Sequence, residues 1–382
     1  MENILSTEER NRIKTKIQDE IAELSVIHPL LCIEMNTGTG KGLSLIKCID
    51  KSKSKNKWLI CVPEIAQIAN FKAEIEKFNY THIYDKIEDI ICYASLKNYE
   101  GMTLELGLNE TQHVNSNRLD IIKTINYSQV IVDSATISDE LRMRLSEIGD
   151  FYTYHLPLKE GIKLGILHAP RIHLIPVSIN GIKDKFEYKK YGKNVTGTAE
   201  QYYNHLSDQI KYWRDRYNRE GAEYMSNKSL QYASQRKRFM ASLKTFKAKE
   251  LSEQFIKENR RFIAFCGSIP QAEELGGKKY SIHSKKSKKT NKDIIDKFNA
   301  LELDRIFAIN MGTEGMNFTD LDTVMIVQLD SGEMTNSLTS IQKSGRLRNG
   351  GDVYLLYLED LQDKKYLNNT INAIGKEFIV TN

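Results

Sequence analysis

The chain is short of the features that mark several protein classes. Its 382 residues include six prolines and two tryptophans. No run approaches the ~18 consecutive apolar residues of a membrane span, which excludes a helical membrane protein. The N-terminus, MENILSTEERNRIK, is charged and lacks the apolar core of a signal peptide. Five cysteines (Cys32, Cys48, Cys61, Cys92, Cys266) form no CxxC pair. An odd, scattered set argues against a zinc site or a disulfide framework, and for reduced thiols in a cytoplasmic protein. No repeat of 20–50 residues is present, which excludes solenoids. What is present is an ordinary globular balance, 40% hydrophobic and 27% charged residues. At ~100–200 residues per domain this length predicts two domains.

The net charge of +5 is unevenly spread. Residues 185–261 hold 18 Lys/Arg against 9 Asp/Glu, so this stretch carries +9 and the remainder about −4. Such asymmetry suits a polyanion-binding surface, although a solvated helical face produces the same signal.

Short apolar runs of strand length recur: 30–35 (LLCIEM), 58–63 (WLICVP), 90–95 (IICYAS), 104–108 (LELGL) and 130–135 (VIVDSA). Helical patterns separate most of them. The grammar resumes at 261–268, 280–284, 305–312, 323–329 and 353–359. Alternating strand and helix predicts an α/β chain with two parallel sheets. A domain boundary is expected after residue 165, with 159–169 as an exposed connector. Residues 185–260 break the pattern and read as a basic, Tyr-rich helical insertion. Gly276-Gly277-Lys278-Lys279 and 285–289 read as basic loops.

After LLCIEM come Asn36, Thr37, Gly38, Thr39, Gly40, Lys41 and Gly42, then the apolar helix LSLIKCI. Strand, glycine turn, lysine and helix form a phosphate cradle. The glycines let backbone N–H groups approach, the helix N-terminus adds positive potential, and Lys41 reaches the β/γ-phosphates. The hydroxyl that follows the lysine in such loops, a Mg²⁺ ligand, is replaced by Gly42, and Ser44 is poorly placed to substitute.

With these residues and the following motifs in order, the chain resembles superfamily 2 DEAD/DEAH-like helicases and translocases, closest to the compact phage and type III restriction-like branch. Leu108-Asn109-Glu110-Thr111-Gln112-His113 resembles motif II, with Glu110 at the catalytic glutamate and Asn109 in place of the metal-binding Asp. Ser134-Ala135-Thr136 matches motif III, which couples nucleotide state to nucleic-acid grip. Reading Asp133-Ser134-Ala135-Thr136 as a degenerate motif II would leave no motif III and no base. Residues 58–63 and 93–96 resemble motif Ia and its neighbour, and 262–268 resembles motif IV. Residues 310–317, containing Gly315, resemble motif V. Residues 340–348 resemble motif VI, with Gln342 and the arginines Arg346 and Arg348, which stand one residue apart where the family has two.

The resemblance implies two RecA-like domains, 1–165 and 166–382, the second bearing the helical insertion. It implies ATP and Mg²⁺ as cofactors, hydrolysis at the cleft between the domains, and single- or double-stranded nucleic acid as partner. A protein partner would follow if the chain serves a restriction- or replication-type complex. Thr37 to Gly42 and Gly315 would bind nucleotide, Asn109 and Glu110 the metal. Glu110, Gln342, Arg346 and Arg348 would act in hydrolysis. In the insertion, Arg236, Lys237 and Arg238 with Tyr212 and Trp213 combine cations and stacking surfaces suited to nucleic acid. The alternative is a nucleic-acid clamp or scaffold with weak or absent ATPase, motivated by Gly42 and Asn109.

Overall fold

The computed structural model describes residues 5–380, apart from 37, 136, 191, 310–317, 330–346 and 348–349 and the side chains at 66, 181, 373 and 374. The chain divides into two compact units, 1–169 and 170–382.

The first unit runs α1 (Thr7–Ile27), β1 (Leu30–Met35), α2 (Lys41–Lys51), β2 (Trp58–Val62), α3 (Ile65–Lys77), β3 (Ile87–Cys92), β4 (Glu105–Leu108), α4 (Ser116–Thr124), β5 (Val130–Ser134), α5 (Asp139–Ser146), β6 (Tyr152–Leu156) and α6 (Leu158–Lys163). Helix α1 starts with a capping box between Ser6 and Glu9, which satisfies two amides otherwise left unpaired. The strands form one parallel sheet in the order β3-β2-β4-β5-β1-β6. Alternate residues along the strands feed two apolar clusters, Leu31, Ile33, Ile60 and Val62 on one face and Cys32, Leu59, Cys61 and Leu106 on the other. A sheet buried on both faces explains why its central strands read as unbroken apolar runs.

The second unit runs β7 (Pro170–Val177), β8 (Phe186–Lys190), β9 (Lys193–Gly197), α7 (Ala199–Glu220), α8 (Glu223–Ser242), α9 (Thr245–Lys257), β10 (Phe262–Phe265), α10 (Ile269–Tyr280), β11 (Ser281–Ile282), α11 (Lys288–Asn299), β12 (Arg305–Ala308), β13 (Thr323–Ile326), β14 (Gly351–Leu358) and α12 (Asp363–Ile374). Its parallel sheet is ordered β11-β12-β10-β13-β14-β7.

Several expectations need correction. Residues 159–169 are not an exposed connector: α6 lies there, and Leu158, Gly161 and Ile166 are buried. The insertion is not all helical, since it opens with the antiparallel hairpin β8–β9 before α7 and α8. Helix α9 belongs to the unit's core, where Ala248, Leu251 and Phe255 pack with Phe262 and Phe307. Gly276–Lys279 is no loop but lies within α10, kinked at Gly277 with φ +57°. Strands β6 and β7 escape an apolar-run reading because both are sheet edges. Edge strands tolerate polar residues, as in YTYHL, and a proline such as Pro176.

Between α8 and α9, Lys244 is wholly buried. Its Nζ donates to Asp363 Oδ2 (2.6 Å) and to the Leu356 carbonyl (3.3 Å), tying the helices to β14 and α12. Lys244→Met strands the Asp363 carboxylate in the core. It is expected to cost roughly 3–5 kcal/mol, read as a lower urea midpoint with little change in slope. A midpoint within error of the wild type would remove this pair from the account of stability.

Candidate functional site

The loop between β1 and α2 is shaped by two left-handed glycines, Gly38 (φ +90°) and Gly40 (φ +91°). A Cβ at Gly40 would displace the Gln18 side-chain amide, and the positive φ is the stronger reason for glycine there. Helix α1 supports the loop from behind. Lys14 Nζ donates to the Gly38 carbonyl (2.8 Å), and Gln18 Nε2 donates to the carbonyls of Thr39 and Gly40 (3.5 and 3.4 Å). Gln18 and Lys14 were missed in the sequence because a polar residue on an amphipathic helix has no pattern of its own. Thr39 Oγ1 is turned inward to the Asn36 carbonyl (2.6 Å), and Ser44 Oγ to the Gly40 carbonyl (3.3 Å). Both hydroxyls donate their proton to the loop's own carbonyls. At Gly42, a Cβ would run into Glu74 Oε2 from α3, so an acidic oxygen borders the position where a hydroxyl is expected.

Lys41 is 8% exposed, and its Nζ lies 3.8 Å from Glu110 Oε1. Glu110 follows β4 in a left-handed conformation (φ +51°), an uncommon state for a residue other than Gly, Asn or Asp. Gln112 Nε2 donates to Glu110 Oε2 (2.9 Å), and Ser134 Oγ donates to Gln112 Oε1 (2.8 Å). Gln112 thus bridges the ends of β4 and β5, connecting Glu110 to the Ser134-Ala135 pair. The loops after β1, β4 and β5 all leave the carboxyl edge of the sheet, where parallel sheets bind ligands.

The motif III reading of Ser134-Ala135-Thr136 gives Asp133 no role, yet it is central here. It is wholly buried at the end of β5. Asn109 Nδ2 donates to its Oδ2 (2.8 Å) and the Glu110 N–H to its Oδ1 (3.2 Å). Burial, reinforced by the neighbouring Glu110 charge and opposed by Lys41, pushes its carboxyl up to about 7. The sequence did carry a signal: an acid inside the otherwise apolar strand VIVDS.

A raised native pKa means that the folded chain holds a proton the unfolded chain has released between pH ~4 and ~7. The Asp133 contribution to stability is therefore present at low pH and lost as pH rises through about 7. Asp133→Asn gives up one acceptor oxygen but removes this pH dependence, so its Tm relative to wild type is expected to rise by roughly 5 °C between pH 4 and pH 8. A thermal scan across pH that shows equal curves for both proteins would contradict this.

The remaining site residues divide into described and undescribed. Thr37, Thr136, Gly315, Gln342, Arg346 and Arg348 lie outside the described residues. In the insertion, Arg236 is half-buried, donates to Ser207 Oγ (3.0 Å) and sits over the Tyr203 ring (5.5 Å). Arg238 is exposed, and its Nε donates to the Ser234 carbonyl (3.4 Å). Lys237 is half-buried. Tyr212 and Trp213 meet edge to face at 5.2 Å, with the Arg216 guanidinium over both rings and held by Glu220. Tyr212, Tyr217 and Tyr224 keep large exposed surfaces.

Among the described residues, no group of three His, Cys, Asp or Glu side chains converges to hold a metal by itself, and no helix is long and apolar enough to cross a membrane. Hard oxygen donors at Asp133, Glu110 and Asn109 do suit a cation that arrives with nucleotide phosphates, since Mg²⁺ commonly takes one or two carboxylates plus phosphate and water.

Residues 246–350 match the family described as helicase conserved C-terminal domain. No curated protein sequence matches the chain. Among solved structures, a point variant of Saccharomyces cerevisiae Dbp5 bound to RNA and ADP BeF3 is similar with a TM-score of 0.63 and 13% identity, over 96% of this chain and 88% of that one. Dbp5 bound to RNA and ADP BeF3 gives 0.57 and 14%, over 95% and 87%. The Pyrococcus furiosus Hef helicase domain gives 0.51 and 14%, over 94% and 97%. The fold is that of two RecA-like helicase domains, each a six-stranded parallel sheet flanked by helices.

Proposed function

We propose that the chain is a nucleic-acid-dependent ATPase of the helicase type, which hydrolyses ATP to move along or unwind DNA or RNA. The observation that carries the reading is the approach of Lys41 and Glu110 to 3.8 Å, from loops after β1 and β4, at the carboxyl edge of the first sheet. One residue is suited to hold phosphate and the other to address a water beside it. The helicase C-terminal match over 246–350 supports the same reading. The placement in the compact phage or type III restriction-like branch rests on the spelling of the motifs.

In this mechanism Lys41 and the N–H groups of the Gly38–Gly42 loop bind the phosphates. Glu110 orients the attacking water and accepts its proton. Gln112 holds the Glu110 carboxylate and, through Ser134, relays its position to the segment after β5. The resemblance assigns Arg346 and Arg348 to the charge developing on the transferred phosphoryl group. Mg²⁺, brought with the nucleotide, would supply Lewis-acid charge neutralisation of the phosphates. Asp133, Asn109 and Glu110 are the residues that would face it. Nucleic acid would be gripped through phosphates by exposed cations of the insertion, such as Arg238, and by stacking on Tyr212.

The deciding measurement is steady-state ATPase with and without single-stranded DNA and RNA. Hydrolysis stimulated several-fold by either strand is expected. Nucleic-acid binding with no hydrolysis at any Mg²⁺ concentration would favour the non-hydrolysing clamp instead.

A further inference from the structure

We propose that Glu34 of β1 is a positioning residue that ties the segment after β5 to the strand feeding the phosphate loop, and so carries the effect of bound nucleic acid to the nucleotide site. This inference rests on the nucleotide-site reading above. In the parallel sheet Glu34 is the register partner of Ser134 on β5 and of His155 on β6. Its carboxylate meets groups from three other parts of the first unit. Oε1 accepts from the Ile137 N–H (2.9 Å). Oε2 accepts from Arg142 Nη2 of α5 (2.8 Å) and lies 3.0 Å from His155 Nδ1 of β6.

The place of this acid in the sheet favours a role beyond packing. Leu30 and Cys32, on the same face of β1, pack in the apolar cluster of Leu59, Cys61, Ile137 and Leu141. Glu34 continues that row and is buried, so a leucine would fit there and need no partner. A carboxylate in such a row is destabilising unless its oxygens are paired. One of those pairings holds a backbone amide that lies beyond the end of the β5 ladder and before α5. The segment after β5 is therefore held at both ends. At one end Ser134 donates to Gln112, which donates to Glu110. At the other, Ile137 donates to Glu34, two residues before Asn36, whose carbonyl accepts the Thr39 hydroxyl of the phosphate loop. A shift of this segment reaches both Glu110 and the phosphate loop. Arg142 and His155 hold the second carboxylate oxygen and keep the first directed at Ile137. Buried networks whose members are all engaged move as a unit, which suits a link between two ligands.

The test uses the full chain and measures the affinity for a single-stranded oligonucleotide with and without a non-hydrolysable ATP analogue. The ratio of the two affinities is the coupling between the sites. Affinity for a fluorescent ADP analogue and hydrogen exchange of the Ile137 amide are read alongside it. Wild type is expected to bind the strand at least about fivefold more tightly with the ATP analogue. Glu34→Leu keeps the apolar row and removes both acceptors. It should bring the ratio below about twofold and leave affinity for the ADP analogue within about threefold of wild type. Its Ile137 amide should exchange faster, because the bond to Oε1 has gone. Glu34→Gln keeps an oxygen for the Ile137 N–H and should recover part of the ratio. Arg142→Ala, at an exposed position, should lose part of it, and carries the test if Glu34→Leu does not fold.

A wild-type ratio in Glu34→Leu, or in Arg142→Ala where the first variant does not fold, would overturn the inference. So would a Glu34→Leu protein that loses affinity for the ADP analogue as steeply as it loses the ratio, which marks a merely structural residue. A wild type that binds neither analogue would instead overturn the nucleotide-site reading beneath it.

Discussion

Lys41→Ala is expected to abolish nucleotide binding at concentrations where the wild type is saturated. Lys41 is 8% exposed and stands at the start of α2, directly after the two left-handed glycines. No other cation belongs to the described part of the loop. A charge-assisted hydrogen bond to phosphate is worth ~1.5–3 kcal/mol, and Lys41 would reach more than one phosphate oxygen. The variant also removes the Lys41 charge from beside Glu110, adding repulsion toward the nucleotide. Together these predict a loss of affinity of roughly 100-fold or more. Calorimetric titration with ATP and ADP checks it. Affinity within threefold of the wild type would exclude this loop as the nucleotide site.

Glu110→Gln is expected to separate binding from turnover. Glutamine keeps the side-chain length and can still meet Gln112, and it can adopt the left-handed backbone at no greater cost than glutamate. What it lacks is a basic oxygen for the water's proton. General-base removal typically costs ~10²–10⁴-fold in rate. Nucleotide should bind at least as well, since a negative charge beside the phosphates is removed. Single-turnover hydrolysis read alongside equilibrium binding distinguishes the two effects. Retention of full turnover would mean that the base lies elsewhere, and that the position of Glu110 beside Lys41 has another cause.

Much of the architecture was legible because burial leaves a strong imprint on sequence. β1, β2, β5, β10, β12 and β13 lie inside sheets covered on both faces, and their residues are almost all apolar. The glycine turn after β1 was legible for a different reason. Glycines at 38 and 40 answer a backbone requirement that is local, and the following helix is amphipathic on its own. The edge strands β6 and β7 were not legible, since an edge relaxes both the apolar and the no-proline constraints.

The basic insertion shows the limit of charge counting. Arg236, Lys237 and Arg238 form one run in sequence, yet a helix turns successive side chains ~100° apart. Arg236 faces α7 and is engaged with Ser207 and Tyr203, whereas Arg238 faces solvent.

By itself, the sequence determined the α/β class, the two parallel sheets and the glycine turn between β1 and α2, because each depends on residues close together in the chain. Tertiary structure decided what crosses between elements. It brought Gln18 of α1 to the back of the loop, set Glu74 of α3 beside Gly42, linked Glu110 through Gln112 to Ser134, and paired Asn109 with Asp133. The last pairing changes the reading of position 109. A neutral residue there looks like a lost charge when β4 is read alone. Parallel pairing of β4 with β5 puts a buried carboxylate next to it, 24 residues further along the chain, where no local pattern could have shown it.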